Sequence, residues 1–219
     1  MLAIDGGYQQ VPVDNGYPSA ELACITAAAV LIDVHKQREL DQQRPVNPKD
    51  FRETQGATSI DCALPGCNVI LDEPTPQGSF RRQLFEASGH SSIFAGAETL
   101  LQTYEVLLRH KPTARPPECP YGDTCATPDA DGNPNRFNPG AGVTACPCSA
   151  ARPVFSTDAL RIHEGFNPHG SSGAMYMEVM QIWERLWLIN FLRGLESQGL
   201  LANHRPLAVI MDGPLAAFG

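Results

Sequence analysis

Near each end of the chain a short, unbroken apolar run stops at an Asp-Gly pair: Leu2-Ala3-Ile4 before Asp5-Gly6-Gly7, and Leu207 to Met211 before Asp212-Gly213. Runs of this length without polar alternation read as strands covered on both faces, the condition of a central strand in an α/β sheet. A chain whose two ends both supply such strands must also supply helices to cover them, so the expected class is α/β. Each run is expected to end at its Asp-Gly turn.

Two helices are legible. From Phe94 to His110 apolar residues recur at helical spacing, Arg109 to Lys111 complement the end of the helix dipole, and Pro112 stops it. A longer helix runs from about Ala174 to Gln198, between a Gly-Ser-Ser-Gly stretch and Gly199. The centre of Ala20–Val34 reads as a second buried strand, with a helix as the alternative because the stretch is rich in alanine. Residues 35–60 read as surface, and a Pro65-Gly66 turn leads into a short strand, Asn68–Leu71. Residues 112–153 hold nine of the 19 prolines and four of the seven cysteines without any periodic pattern. They read as a Pro/Cys-rich, loop-rich insertion that cannot bury a core of its own.

Composition excludes some classes. In 219 residues, 42% of them hydrophobic, there is material for a sizeable core. No apolar run approaches the roughly 20 residues that cross a bilayer, so no membrane association is expected. The first residues lack the basic start and apolar stretch of an export signal, which points to a cytoplasmic protein with reduced thiols. With 16 Lys+Arg against 24 Asp+Glu, the net charge of −8 provides no global basic field for nucleic acid. A nuclease that works through a local acidic metal site and a few arginines remains compatible with that charge.

If the strands ending in Asp5 and Asp212 are parallel neighbours, their carboxylates meet at one sheet edge. There they repel and lose hydration unless a cation lies between them, and hard ions such as Mg²⁺ or Mn²⁺ take such oxygen ligands. Either aspartate alone reads first as an ordinary turn residue. Glu184 adds to the pair. At about 100° per residue it falls among Met177, Met180, Leu188, Phe191 and Leu195, away from the arc of Glu178, Gln181, Arg185, Arg193 and Glu196. A lone carboxylate in an apolar stripe needs a partner, a proton or a metal. An ion pair with Arg81, Arg82 or Arg161 is one answer. The other is a trio of Asp5, Glu184 and Asp212 holding a divalent cation, the usual apparatus for phosphodiester hydrolysis. Arg81, Arg82, Arg161 and His163 are candidate phosphate or DNA contacts near such a site. Cys119, Cys125, Cys146 and Cys148 are candidate ligands of a structural Zn²⁺ that would staple the insertion; four unrelated thiols are the alternative.

The opening Ala3-Ile4-Asp5-Gly6-Gly7 and the closing Ile210-Met211-Asp212-Gly213-Pro214-Leu215 resemble the two aspartate motifs of the NurA nucleases. Leu64 to Val69, Ser79-Phe80-Arg81 and Thr157 to Glu164 are similar to stretches of bacterial members. The resemblance implies a ribonuclease H-like mixed sheet flanked by helices and one nuclease domain over residues 1–219, with 112–153 as its insertion. It implies manganese-dependent cleavage of DNA in end resection during repair, pairing into a homodimer, and work with the hexameric ATPase HerA. It assigns the first catalytic aspartate to Asp5 and the second to Asp212. The helix glutamate falls to Glu184, with Glu178 and Glu196 as fallbacks. The family continues past its second aspartate motif to a further catalytic histidine, whereas this chain ends at Gly219, so a fragment or a shortened relative is expected. A non-catalytic adaptor docked on the ATPase is the competing function.

Overall fold

The alanine-rich stretch folds as a strand, and its alternation explains why. In β2 (Glu21–Ile32) Ala23, Ile25, Ala27 and Ala29 are buried, while Cys24 and Thr26 between them are exposed. A computed structural model describes the chain apart from residues 14–17, 41–44, 46, 94–96, 111–115, 122–134, 139, 147–151, 200–206 and 213–219. Over β2 and β1 (Leu2–Pro12) lies the long helix α5 (Gly173–Ser197). Its buried side chains include Tyr176, Trp183, Trp187 and Phe191. Bulk on the helix and alanine on the strand are complementary, because small side chains let the helix sit close and the rings fill the gap.

β1 and β2 pair antiparallel, from Leu2 opposite Leu31 to Pro12 opposite Glu21. β2 pairs antiparallel with β3 (Gln55–Pro65), and the short edge strand β6 (Val209–Met211) lies parallel to β1. The result is a mixed four-stranded sheet in the order β3-β2-β1-β6. Two expectations are corrected. β1 does not stop at Asp5: Gly6 and Gly7 continue the pairing against Ala27 and Thr26, and the strand runs on for five more residues. Nor is β1 covered on both faces, since Asp5 and Gly7 are exposed beside Thr26, Ser59 and Asp61 on the face away from α5.

The region read as surface contains α1 (Val34–Glu39), capped by Asp33, and α2 (Pro48–Arg52), capped by Asn47; neither buries a residue. It also contains the start of β3. The strand expected at Asn68–Leu71 is instead a turn followed by bends, with Asn68 and Asp72 at positive φ. Next comes α3 (Pro76–His90). Thr75 Oγ1 accepts from the Gly78 N–H at 3.0 Å, and Pro76 occupies the first turn, where its missing donor is harmless. α4 (Leu100–His110) starts later than the spacing from Phe94 predicts, and residues 94–96 lie outside the described part.

Within 112–153 the described residues form a hairpin of β4 (Val143–Ala145) and β5 (Pro153–Phe155). Cys119, Phe137, Cys146 and Val154 make a small cluster apart from the main core, with Tyr121 against it. Among the described residues no helix is long and apolar enough to cross a membrane.

Candidate functional site

The parallel pairing of β1 with β6 runs Leu2–Val209, Ala3–Ile210, Ile4–Met211. Asp5 and Asp212 are the next residue on each side, so two carboxylates 207 positions apart in sequence arrive at one level of the sheet. Both are exposed. Asp5 Oδ1 accepts from the Gly6 N–H at 3.0 Å. Among the described residues no strand pairs with the β6 side of β1 beyond Ile4.

Glu184 reaches that edge from the other side. It lies in the middle of α5 and is only 5% exposed. Side chains alternate along β1, so Asp5 faces the exposed side of the sheet and Gly6 faces α5. A Cβ on Gly6 would stand 2.7 Å from Glu184 Oε1 and 2.8 Å from Met180 Cγ. Glycine is required here for close approach rather than for a special φ. Burial pushes the Glu184 carboxyl above its ordinary pKa, and the nearby charges of Asp5 and Asp212 push it further; the Gly6 N–H and Arg185 oppose them.

The three acids therefore share one electrostatic neighbourhood but approach it from two faces of β1. Among the described residues no three His, Cys, Asp or Glu side chains are grouped tightly enough to hold a metal ion. Carboxylate oxygens are the donor type that a hard divalent cation takes. Of the fallback residues, Glu178 is half-buried, its pKa raised by burial and then by Glu164, and Glu196 is exposed near the end of α5. Unlike Glu178, Glu184 has both Asp5 and Asp212 among the charges that raise it.

Gly6→Ala tests the close approach. Overpacking at this point should destabilise the fold by about 1–3 kcal/mol. Gly7→Ala is the control, since a Cβ at Gly7 meets nothing within 4 Å. Urea unfolding that gave the two variants equal stability would contradict the packing of Glu184 over Gly6.

Of the residues expected to clamp phosphate, Arg81, Arg82 and Arg161 are each paired with a protein carboxylate. Arg81 is 3% exposed and donates from Nε and a terminal nitrogen to the two oxygens of Asp158, each at 2.7 Å, and to Pro153 O at 3.2 Å. Its guanidinium also lies over the Tyr121 ring, 4.7 Å from the centroid. Arg82 donates to Glu73 at 2.7 Å, and Arg161 makes a two-point contact with Glu164 at 2.8 and 2.9 Å. His163 is buried with Nδ1 3.9 Å from Asp158, and desolvation lowers its pKa against the pull of that carboxylate. The Arg81–Asp158 pair and the bond from Gln77 Nε2 to His163 O tie α3 to the 3-10 turns Ser156–Leu160 and Ile162–Gly165. Asp158, the centre of this assembly, is not singled out by the sequence reading. Its signal is position: an acid in a segment otherwise apolar enough to be buried.

Of the four cysteines proposed for zinc, Cys119 and Cys146 are buried with their sulfurs 2.8 Å apart. Cys125 and Cys148 lie outside the described residues. No family model, curated protein or solved structure matches the chain.

Proposed function

We propose that the chain is a divalent-metal-dependent deoxyribonuclease of the NurA type, with a ribonuclease H-like sheet, that processes DNA ends as a homodimer with a HerA-type hexameric ATPase. The observation that carries this reading is Glu184, buried over Gly6 with its carboxyl raised by that burial and further by Asp5 and Asp212. Supporting it, the Glu184 carboxyl of α5 feels the charges of Asp5 on β1 and of Asp212 just after β6. The mixed sheet, with one strand laid parallel beside the first, is compatible with the architecture that the resemblance implies.

When bound, Mn²⁺ or Mg²⁺ supplies an activated water and neutralises charge on the scissile phosphate. The residues of the chain divide the remaining work. Asp5 and Asp212 stand on the exposed side, where a bulky polyanion has access. Glu184 closes the buried side and keeps bulk water from that flank. Arg81, Arg82 and Arg161 are left out of this reading because each is paired with a protein carboxylate, and His163 because it is buried.

Asp212→Asn tests the assignment on linear DNA in the presence of Mn²⁺. Cleavage should vanish while the unfolding midpoint stays within experimental scatter, since Asp212 is exposed. Undiminished cleavage would falsify the trio. Wild-type chain that is captured by the ATPase and never cuts, under any divalent ion, would establish the adaptor instead.

A further inference from the structure

We propose that Cys119 and Cys146 are a redox pair that a low-molecular-weight disulfide, such as oxidised glutathione, converts to a disulfide bond. The bond locks the 112–153 insertion against α3. The two sulfurs come from stretches 27 residues apart and meet at 2.8 Å, one thiol donating to the other. Each residue is 3% exposed. Sulfurs joined in a disulfide stand about 2.05 Å apart, so the pair closes by about 0.8 Å and needs no long-range rearrangement.

Backbone bonds hold both cysteines at the meeting point. The Cys119 N–H donates to Asn135 O at 2.6 Å, beside the antiparallel bridge between Glu118 and Arg136. The Cys146 N–H donates to Arg152 O at 2.7 Å, one step beyond the β4–β5 pairing. Two antiparallel stems thus set the approach of the sulfurs. The cluster they share is small: its other buried members are Phe137 and Val154, with Tyr121 packed against it. So few apolar side chains cannot hold such a segment unaided, and a covalent cross-link is the usual remedy for a core of this size.

A second tie runs between the same two stretches. Tyr121, two residues after Cys119, donates from its hydroxyl to Pro153 O at 2.7 Å, and the Arg81 guanidinium of α3 lies over its ring. Pro153 is paired with Ala145, next to Cys146. The disulfide and the Tyr121 hydrogen bond therefore cross-brace one junction, and the oxidised insertion keeps Tyr121 stacked on Arg81. Other described cysteines are poorer candidates. Cys24 is exposed, Cys67 donates to Ser19 O at 2.7 Å, and burial pushes the Cys62 thiol up to about 12.

The exchange balances. One protein thiolate attacks the S–S bond of the reagent, forming a mixed disulfide and releasing one small thiolate. The second protein thiolate attacks the mixed disulfide and releases the other. The chain loses two protons and two electrons, and the reagent is reduced to two thiols. Because both sulfurs are buried, attack waits on local opening of the stems, and the closed bond is shielded from reductant. None of this rests on the nuclease reading.

The test holds the full-length chain in mixtures of reduced and oxidised glutathione, quenches in acid, alkylates the remaining thiols in denaturant and maps the peptides by mass. Oxidation should remove Cys119 and Cys146 together from the alkylated set and yield peptides joined through them. The joined form should survive protease within the insertion on the order of tenfold longer than the reduced form. Reduction should reverse both changes. Cys24→Ser should behave as wild type, whereas Cys119→Ser and Cys146→Ser should each show one protease lifetime in all mixtures. If a serine variant does not fold, the wild-type peptide map and protease lifetimes decide the matter alone. Three results overturn the proposal: Cys119 and Cys146 still alkylated after the most oxidising mixture, whether held as thiols or by a copurified metal; a cross-link from either to a different cysteine; or equal protease lifetimes for the two wild-type forms.

Discussion

Replacing Arg81 with methionine should cost the fold about 3–5 kcal/mol, because it leaves a buried carboxylate without its counter-ion. Asp158 is 2% exposed, and its two oxygens take both strong donors from Arg81. The Phe155 N–H also donates to it, at 2.8 Å. Asp158→Asn should be damaging in the same way, since it strands a guanidinium in the space between Phe155 and Tyr121. The double variant Arg81→Met with Asp158→Asn should recover much of the loss, since neither charge then remains buried alone. Urea unfolding of the four chains measures the coupling. Tyr121 connects this pair to the insertion through the Arg81 stack and through its hydroxyl, which donates to Pro153 O at 2.7 Å. The Arg81 variant should therefore also become more sensitive to protease within residues 112–153. An Arg81 variant of unchanged stability that had lost affinity for DNA would instead restore the phosphate-clamp role.

That outcome bears on what the sequence makes legible. Asp5, Asp212 and Glu184 are found by reasoning about cost: acids at the ends of apolar runs, and an acid on the apolar arc of a helix, are expensive wherever the chain folds. The arginines carry no such signal. Arg81 sits between Phe80 and Arg82, and nothing local distinguishes a guanidinium that meets phosphate from one buried against an aspartate 77 residues away. The same contrast holds for the fold. α5 is legible because its large apolar residues are many and evenly spaced. α3 is missed because the residues it buries include Gly78, Ser79, Arg81 and Ser88, so apolar periodicity is weak although Thr75-Pro76 marks its start. The buried hydroxyls are satisfied within reach of their own turn, as in the 2.8 Å bond from Ser88 Oγ to Leu84 O, a device invisible to a hydropathy pattern. β3 is missed for a related reason. It is an edge strand with one face exposed, and its inward residues Ile60, Cys62 and Leu64 are diluted by Ser59, Asp61 and Ala63. The false strand at Asn68–Leu71 is the converse error. Val69, Ile70 and Leu71 favour extension locally, but Asn68 takes a left-handed turn, its side chain donating to Pro18 O at 2.9 Å.

Glu184→Gln should separate a metal ligand from a packing residue by moving stability and activity in opposite directions. The wild-type carboxyl titrates above its ordinary value of 4.5 because burial strips its hydration and Asp5 and Asp212 repel its charge. The folded chain therefore holds this proton more tightly than the unfolded chain does. Between pH 4.5 and the raised folded value, the folded state binds more protons, so stability falls as pH rises through that window. Above the window the ionised carboxylate is a standing destabilisation in the absence of metal. Glutamine keeps the shape and removes the titration. In chelator at pH 7 the variant should be the more stable chain, and its stability should lack the decline that wild type shows as pH rises from 4.5. Mn²⁺ should then raise the melting temperature of wild type and leave the variant nearly unmoved, because only the wild type gains a ligand set on folding. Cleavage should fall on the order of 100- to 1000-fold, the rate equivalent of losing several kcal/mol of metal-dependent stabilisation in the transition state. Lower stability of the variant at pH 7 without metal, together with undiminished cleavage, would make Glu184 a packing residue partnered by the Gly6 N–H and Arg185.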